Sequence, residues 1–152
     1  MRHKAYFYLI ILFATLMDTI SKCLAVRDLP FLTPVKIFPG LNLYLTDNTG
    51  AAFSFLNGGG WEKVFLILIA LGLIGFLVFR LHRAKSKLES IALCLIIGGA
   101  LGNVLNRLVT GSVIDFIDLY VGHYHWPTFN IGDSMIVVGV GLFLVSGRGA
   151  CI

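Results

Sequence analysis

Charge is what this 152-residue chain has least of. Asp, Glu, Lys and Arg make up 13% of it, about half the ~25% of an ordinary soluble domain. Beside a hydrophobic share of 57%, that scarcity excludes intrinsic disorder, which requires low hydrophobicity. It also argues against a soluble globule, whose small interior could not hide so much apolar surface. An integral membrane protein remains. Acidic residues are the scarcer sign, 8 against 12 basic for a net charge of +4, and in a membrane chain such an excess reflects topology rather than nucleic-acid binding. Cysteine is sparse too. Cys23, Cys94 and Cys151 stand far apart, so neither a disulfide framework nor a CxxC metal pattern is available. No metal and no cofactor is expected. The run Arg148-Gly149-Ala150-Cys151 has an Arg where a lipid-modified Gly-Ala-Cys site wants an aliphatic residue, and reads as a tail. Internal repeats and low-complexity tracts are also lacking, and one membrane-embedded domain over 1–152 is expected.

Long apolar runs are what the chain does have. A helix needs about 20 apolar residues, at about 1.5 Å each, to cross ~30 Å of hydrocarbon. Four stretches approach this: about Ala5 to Val26, Trp61 to Phe79, Leu88 to Val109 and Phe129 to Ser146. The basic start Arg2-His3-Lys4 also fits a signal peptide, but the run continues through Asp18 and Lys22 without a small-residue cleavage site, so an uncleaved first span is predicted. Basic residues stay on the cytoplasmic side of short loops. Arg2, Lys4, Arg80, Arg83, Lys85, Lys87 and Arg148 fall on one side, and Arg27, Lys36 and Lys63 on the other. Both termini are therefore expected in the cytoplasm, with segments 27–60 and 110–128 outside. The first external segment holds three of the four prolines and the alternating stretch Leu41-Asn42-Leu43-Tyr44-Leu45-Thr46, the period of a strand, which predicts a small sheet at the membrane surface. The second carries Asp115, Asp118, His123, Tyr124, His125 and Trp126, suited to the headgroup layer.

A charge at bilayer depth costs at least ~2.5 kcal/mol on insertion scales, so each one calls for a reason. Asp18 and Lys22 are spaced i, i+4, where opposite charges share a helix face and neutralise each other. Near the end of the third span, Gly99, Asn103, Asn106 and Arg107 recur at i, i+4, i+7 and i+8, a polar face that cannot point at lipid. As packing alone Arg107 would be costly, so Asn103 and Arg107 are candidates for supporting a site.

Asp115 lies just beyond the third span and Asp133 in the first turn of the fourth, so both belong at one membrane surface. Separately, Asp133 reads as a helix cap and Asp115 as a loop residue. Brought close in a partly dry site, two carboxylates share one proton. The ionised member can then activate water against a peptide carbonyl while the protonated one assists the carbonyl oxygen and the departing amine. Asp118, three residues on, is the competing member and reads as an interfacial charge.

These motifs together resemble the lipoprotein signal peptidase family, signal peptidase II, over nearly the whole chain. The resemblance rests on Asp18 and Lys22, on Asn48-Thr49-Gly50-Ala51-Ala52-Phe53-Ser54, on Gly98 to Arg107, on Val113-Ile114-Asp115-Phe116 and on Phe129-Asn130-Ile131-Gly132-Asp133-Ser134. It implies an α-helical bacterial inner-membrane aspartyl peptidase of four transmembrane helices with a small external sheet. Such an enzyme cuts prolipoproteins before a diacylglyceryl-modified cysteine. By resemblance the catalytic pair is Asp115 and Asp133, with Asn48, Asn103, Arg107 and Asn130 around it and Asp18 and Lys22 in support. Globomycin-type inhibitors are expected across the pair, membrane lipid around it, and a monomer by default. Two positions depart from the family pattern. Asn106 stands where the family usually has Asp, removing a negative partner that could orient Arg107, and Gly132 replaces the usual Ala, adding flexibility beside Asp133. A lid is expected in either Tyr120 to Trp126 or Phe53 to Leu56. The rival reading is a small channel or proton-coupled transporter with Asp18, Lys22, Arg107, Asp115 and Asp133 as a relay, and a third is a membrane scaffold. Against the rival, the two Asp gather at one surface, and the cytoplasmic half of the later spans has no acid but Glu89.

Overall fold

The computed structural model describes residues 5–50 and 61–148. Helix α1 (Ala5–Asp28) runs through an apolar stretch free of Gly and Pro and stops just before Leu29-Pro30, where the residue preceding proline is pushed out of the helical region. Strands β1 (Val35–Phe38) and β2 (Leu41–Asn48) follow, then α2 (Trp61–His82) and α3 (Lys87–Thr110). Strands β3 (Val113–Val121) and β4 (Tyr124–His125) lead into α4 (Ile131–Arg148). Helix α3 is capped at both ends. The Ser86 hydroxyl accepts the Glu89 N–H at 3.0 Å, the Glu89 carboxylate accepts the Lys85 N–H at 2.8 Å, and Gly111, at φ 81°, returns its N–H to the Arg107 carbonyl at 3.0 Å. The left-handed conformation at Gly111 is one that glycine adopts without penalty.

Helix α3 is the most buried of the long helices and contacts α1, α2 and α4. An apolar core of Ile11, Ile74, Leu81, Leu93, Cys94, Ile97 and Val104 joins it to α1 and α2. Small residues let the helices approach, as they do where lipid gives helices no hydrophobic reason to associate. Gly98 lies against Ala14 and the Ile11 carbonyl, Gly99 against the backbone of Gly132, and Gly139 against Ile96 and the Ala92 carbonyl. The Thr15 hydroxyl reaches the Gly98 carbonyl across the α1–α3 contact at 3.1 Å. Leu9, Phe13, Leu68 and Val137 face outward, the inverse of a soluble protein. Three helices, α1, α2 and α3, are long and apolar enough to cross a membrane, and Ile131–Ser146 of α4 is a shorter apolar helix.

The described strands gather where α1 and α3 end and α2 and α4 begin. They form one antiparallel sheet in the order β1-β2-β3-β4. The predicted strand in 27–60 is there, but the sheet draws equally on the second external segment, whose aromatic residues suggest the headgroup layer and no strand. β3 is its longest strand and is buried over most of its first half. Its acids fall three apart, at Asp115 and Asp118, so the strand shows no two-residue alternation to announce it. Its Ile114 and Phe116 pack with Ala25 of α1 and Leu45 of β2. One further boundary is corrected. Phe129 does not open the fourth helix. It bridges to β3, its carbonyl accepting the N–H groups of Phe116 at 3.1 Å and Ile117 at 2.8 Å. The segment Tyr120 to Trp126 is the hairpin end of the sheet, with the Trp126 N–H on the Leu119 carbonyl at 2.8 Å. The other candidate lid, Phe53 to Leu56, lies outside the described residues, as do Ala51 to Ser54, Arg2, Lys4 and Cys151.

At Gly99 a Cβ would strike backbone, whereas at Gly75 nothing lies within 4 Å. Gly99→Leu is expected to destabilise the purified protein by at least the roughly 1–3 kcal/mol of an overpacked core, and Gly75→Leu to change nothing. Thermal unfolding of both variants in detergent measures this.

Candidate active site

The site grows from the cap of α4. Asn130 is the residue before the helix, and its side-chain oxygen accepts the Asp133 N–H at 2.9 Å, while the Asp133 carboxylate accepts the Asn130 N–H at 3.3 Å. This is a reciprocal capping box, with Asn and Asp in its two roles. It explains Asp133 as a cap and leaves its other oxygen, Oδ1, free for the Asn103 amide of α3, which donates to it at 2.8 Å. The remaining face of Asn130 points at the sheet: its Nδ2 donates to Asp115 Oδ1 at 2.7 Å. One fully buried residue thus touches both carboxylates. Asp115 sits in β3, opposite Thr46 of β2, and its second oxygen accepts from Asn48 Nδ2 at 2.9 Å. Asn48 is itself braced by the Gly50 N–H on its carbonyl at 2.9 Å.

Behind the pair lies a buried relay. Lys22 donates to Asp18 at 2.6 Å and to Asn103 Oδ1 at 2.6 Å, and Asn103 Oδ1 also accepts from Asn130 at 3.2 Å. Asp18 is fully buried and Lys22 is 3% exposed. At that depth an unpaired charge would be prohibitive, and the spacing i, i+4 delivers the pairing the sequence predicted. The other oxygen of Asp18 accepts the Gly132 N–H at 2.7 Å. Gly132 and Gly102 both back directly onto the Asp18 carboxylate. The glycine at 132 therefore serves a close backbone approach as well as any flexibility.

Asp115 is 1% exposed. Burial pushes its carboxyl above the usual range. The Asn48 and Asn130 amides pull it back, the charge of Asp133 pushes it up again and Lys22 lowers it. Asp133 is only half-buried. Arg107, also half-buried, lies within Coulombic reach of both carboxylates, while the described ion pairs belong to Lys22, Arg27, Arg80 and His125. Among the described residues no cluster of His, Cys, Asp or Glu is arranged for a metal. Two neighbouring carboxylates in unlike surroundings, one driven to hold a proton and one open to solvent, can divide general acid and general base work.

Every predicted site residue with a described position, Asp18, Lys22, Asn48, Asn103, Arg107, Asp115, Asn130 and Asp133, falls in this one place. Asn106 does not. Its side-chain hydrogen bonds go to neither carboxylate of the pair nor Arg107: its side-chain oxygen accepts the Ile114 N–H at 2.6 Å and its amide donates to Thr110 at 3.3 Å. Asp118 is no interfacial charge. It is buried, with Asn42 Nδ2 at 2.8 Å on one oxygen and His125 Nδ1 at 2.8 Å on the other. Glu89, the lone acid at the opposite end, caps α3 and pairs with Arg80 at 3.0 Å, which removes it from any transmembrane relay. The Phe129 carbonyl, which ties the lead-in of α4 to β3, had no signal in the sequence.

The family model described as signal peptidase (SPase) II matches residues 10–147. The chain is 46% identical over 135 residues to the lipoprotein signal peptidase of Cronobacter sakazakii, covering 87% of this chain and 82% of that one. It is 45% identical to the lipoprotein signal peptidase of Salmonella newport, covering 87% and 81%. A bacterial membrane enzyme solved by the in meso method at 1.9 Å resolution superposes with a TM-score of 0.81 at 30% identity, over 93% of this chain and 91% of that one.

Lys22→Met would leave Asp18 buried without its ammonium, a loss of roughly 3–5 kcal/mol. The double variant Asp18→Asn/Lys22→Met is expected to recover part of it. Unfolding midpoints in detergent decide, and an unchanged midpoint for Lys22→Met would remove the pair from the structural account.

Proposed function

This chain belongs to the signal peptidase II family, and from that premise we propose that it is an aspartyl endopeptidase whose chemistry is performed by Asp115 and Asp133. It removes signal peptides from prolipoproteins as a multi-pass protein of the bacterial inner membrane. The observation that carries the aspartyl reading is the position of Asn130, hydrogen-bonded to both carboxylates.

In the mechanism the proton at rest is on Asp115, the more buried acid, and Asp133 is ionised. Asp133 takes a proton from water as its oxygen attacks the scissile carbonyl. Asp115 hydrogen-bonds the carbonyl oxygen, then gives its proton to the amine as the C–N bond breaks. The proton gained by Asp133 returns to Asp115, and the pair is restored. Asn48, Asn103 and Asn130 hold the carboxylates in place, Arg107 offsets negative charge developing beside them, and Asp18 and Lys22 anchor Asn103 and Gly132.

The cut falls before the diacylglyceryl-modified cysteine. An acyl-anchored substrate keeps that bond at the membrane surface, where soluble proteases reach it poorly and where the sheet end of this bundle brings its two acids. Helix α4 is the fourth span. Its 18 residues reach about 27 Å at 1.5 Å each, short of the average hydrocarbon core by an amount that local thinning accommodates. The basic turn Arg80 to Lys87 supports a cytoplasmic location for its end of the bundle, with both termini on that side and the site near the outer face. One membrane-embedded domain, working as a monomer, suffices for the whole site, and a globomycin-type inhibitor binds across the pair.

Cleavage of a purified diacylglyceryl-modified prolipoprotein in detergent tests the reading. Asp115→Asn and Asp133→Asn are expected to stay folded and lose at least about 10³-fold in turnover, with no effect of a chelator on the wild type. Turnover retained by either variant sinks the dyad. The pH profile gives a second check. Asp115 acts protonated and its proton affinity is raised, so activity is retained below the raised value and lost as pH rises through it. The alkaline limb should therefore lie above the ordinary carboxylate range.

A further inference from the structure

Five residues beyond the point where α3 ends, β3 delivers Asp115, and the intervening turn is held by a side chain that the mechanism does not use. Asn106 stands in the last turn of α3. Its carbonyl oxygen accepts the Ile114 N–H at 2.6 Å, among the shortest hydrogen bonds around the site, and its amide nitrogen donates to Thr110 Oγ1 at 3.3 Å. The Thr110 hydroxyl lies 2.8 Å from the backbone carbonyl of Asn106, not the side-chain oxygen that holds Ile114, and 3.0 Å from the backbone carbonyl of Ser112. Ser112 in turn donates to Asp47 of β2 at 3.1 Å. Gly111, in the left-handed region, makes the sharp exit that the clasp then holds.

The Ile114 amide belongs to the residue immediately before Asp115, so a shift at that amide moves the carboxyl-bearing Cα directly. From the other side, the Phe129 carbonyl holds the amides of Phe116 and Ile117. Asp115 is thus clamped between two backbone anchors, one from α3 and one from the lead-in of α4. Only the first is made by a side chain, and so only it is open to substitution. The second anchor fixes Asp115 to the element that carries Asp133; the first fixes it to the element that carries Asn103 and Arg107.

We propose that Asn106 is a positioning residue for the reaction: its carbonyl, bound to the Ile114 N–H, sets the placement of Asp115 relative to Asn103 and Arg107. This rests on the reading of Asp115 as catalytic. An acceptor is what the position needs. A carboxylate on the same stem supplies one, and an aliphatic side chain of the same size does not.

Three variants of the full chain, assayed in detergent on the diacylglyceryl-modified prolipoprotein, test it. Asn106→Leu is expected to lower kcat about tenfold or more with KM held within about twofold, since a misplacement of about 1 Å of a reacting group is worth up to 10²-fold in rate. Asn106→Asp is expected to restore kcat to within about threefold of wild type. A merely structural role would lower the folded fraction and would not separate kcat from KM. A folded Asn106→Leu with wild-type kcat overturns the proposal, and so does an Asn106→Asp that is as slow as Asn106→Leu. Should Asn106→Leu fail to fold, Thr110→Val reads the same clasp from its other end. A loss of about two- to fivefold in kcat at constant KM supports the proposal, and a wild-type kcat overturns it. Asp115→Asn, run alongside, separates the two readings. If it retains turnover the dyad itself has failed; if it is inactive while Asn106→Leu is unimpaired, only the role of Asn106 has.

Discussion

A carboxylate and an ammonium inside a membrane-spanning bundle have no water to solvate them, and each must be met by charge and by hydrogen bonds or not be there at all. Asp18 and Lys22 meet each other, and what they have left over organises their neighbours. The spare oxygen of Asp18 takes the Gly132 N–H and fixes the start of α4; the spare protons of Lys22 reach Asn103 and fix its rotamer. Once the Asn103 oxygen is committed to Lys22 and Asn130, its amide nitrogen can only donate outward, and Asp133 is what it meets. The orientation of the acid at the surface is therefore decided by satisfying a charge in the interior.

That arrangement depends on short distances between backbones. Gly102 and Gly132 leave room for the Asp18 carboxylate, and Gly99 lets α4 lie on α3 closely enough for Asn103 to span the gap. Glycines that would weaken a soluble helix serve here as contact surface. The sheet contributes the complementary rigidity. β3 is paired to β2 on one side and stapled to Phe129 on the other, and Asp115 is held at a fixed point on it.

Much of this was legible in the residues. The apolar runs gave the helices to within three residues at most boundaries, because a bilayer demands length and composition together. The spacing of Asp18 and Lys22 gave their ion pair, because helical periodicity alone brings them together. The acids at 115 and 133 were placed at one surface by topology. What could not be read was whatever depends on contact between distant segments. β3, with Asp115 and Asp118 three residues apart, lacks the alternation that marks a strand. Asn42 sits in a stretch whose alternation announces a strand but not that Asn42 faces inward toward Asp118. The capping box of Asn130 and Asp133 was half legible, as an acid in the first turn, while the use of the Asn130 side chain to span both acids was not. The partner of Asn106 was hidden for a related reason, since a helical face lists neighbours on the same helix and not the amide of Ile114 beyond its end.

The relay behind the two acids also has a consequence for the order in which the protein is made. Helix α1 carries Asp18 and Lys22 into the bilayer while α3 and α4, which supply Asn103 and the Gly132 amide, are still to be synthesised. Until then the first span holds a self-neutralised pair with two of its three hydrogen bonds missing, in hydrocarbon that offers no substitute. Its flanking apolar residues keep it inserted, but nothing fixes its rotation or depth. The arrival of α3 and then α4 removes that freedom, so the bundle closes on its first helix last, and the two acids acquire their geometry only when the final span is in place.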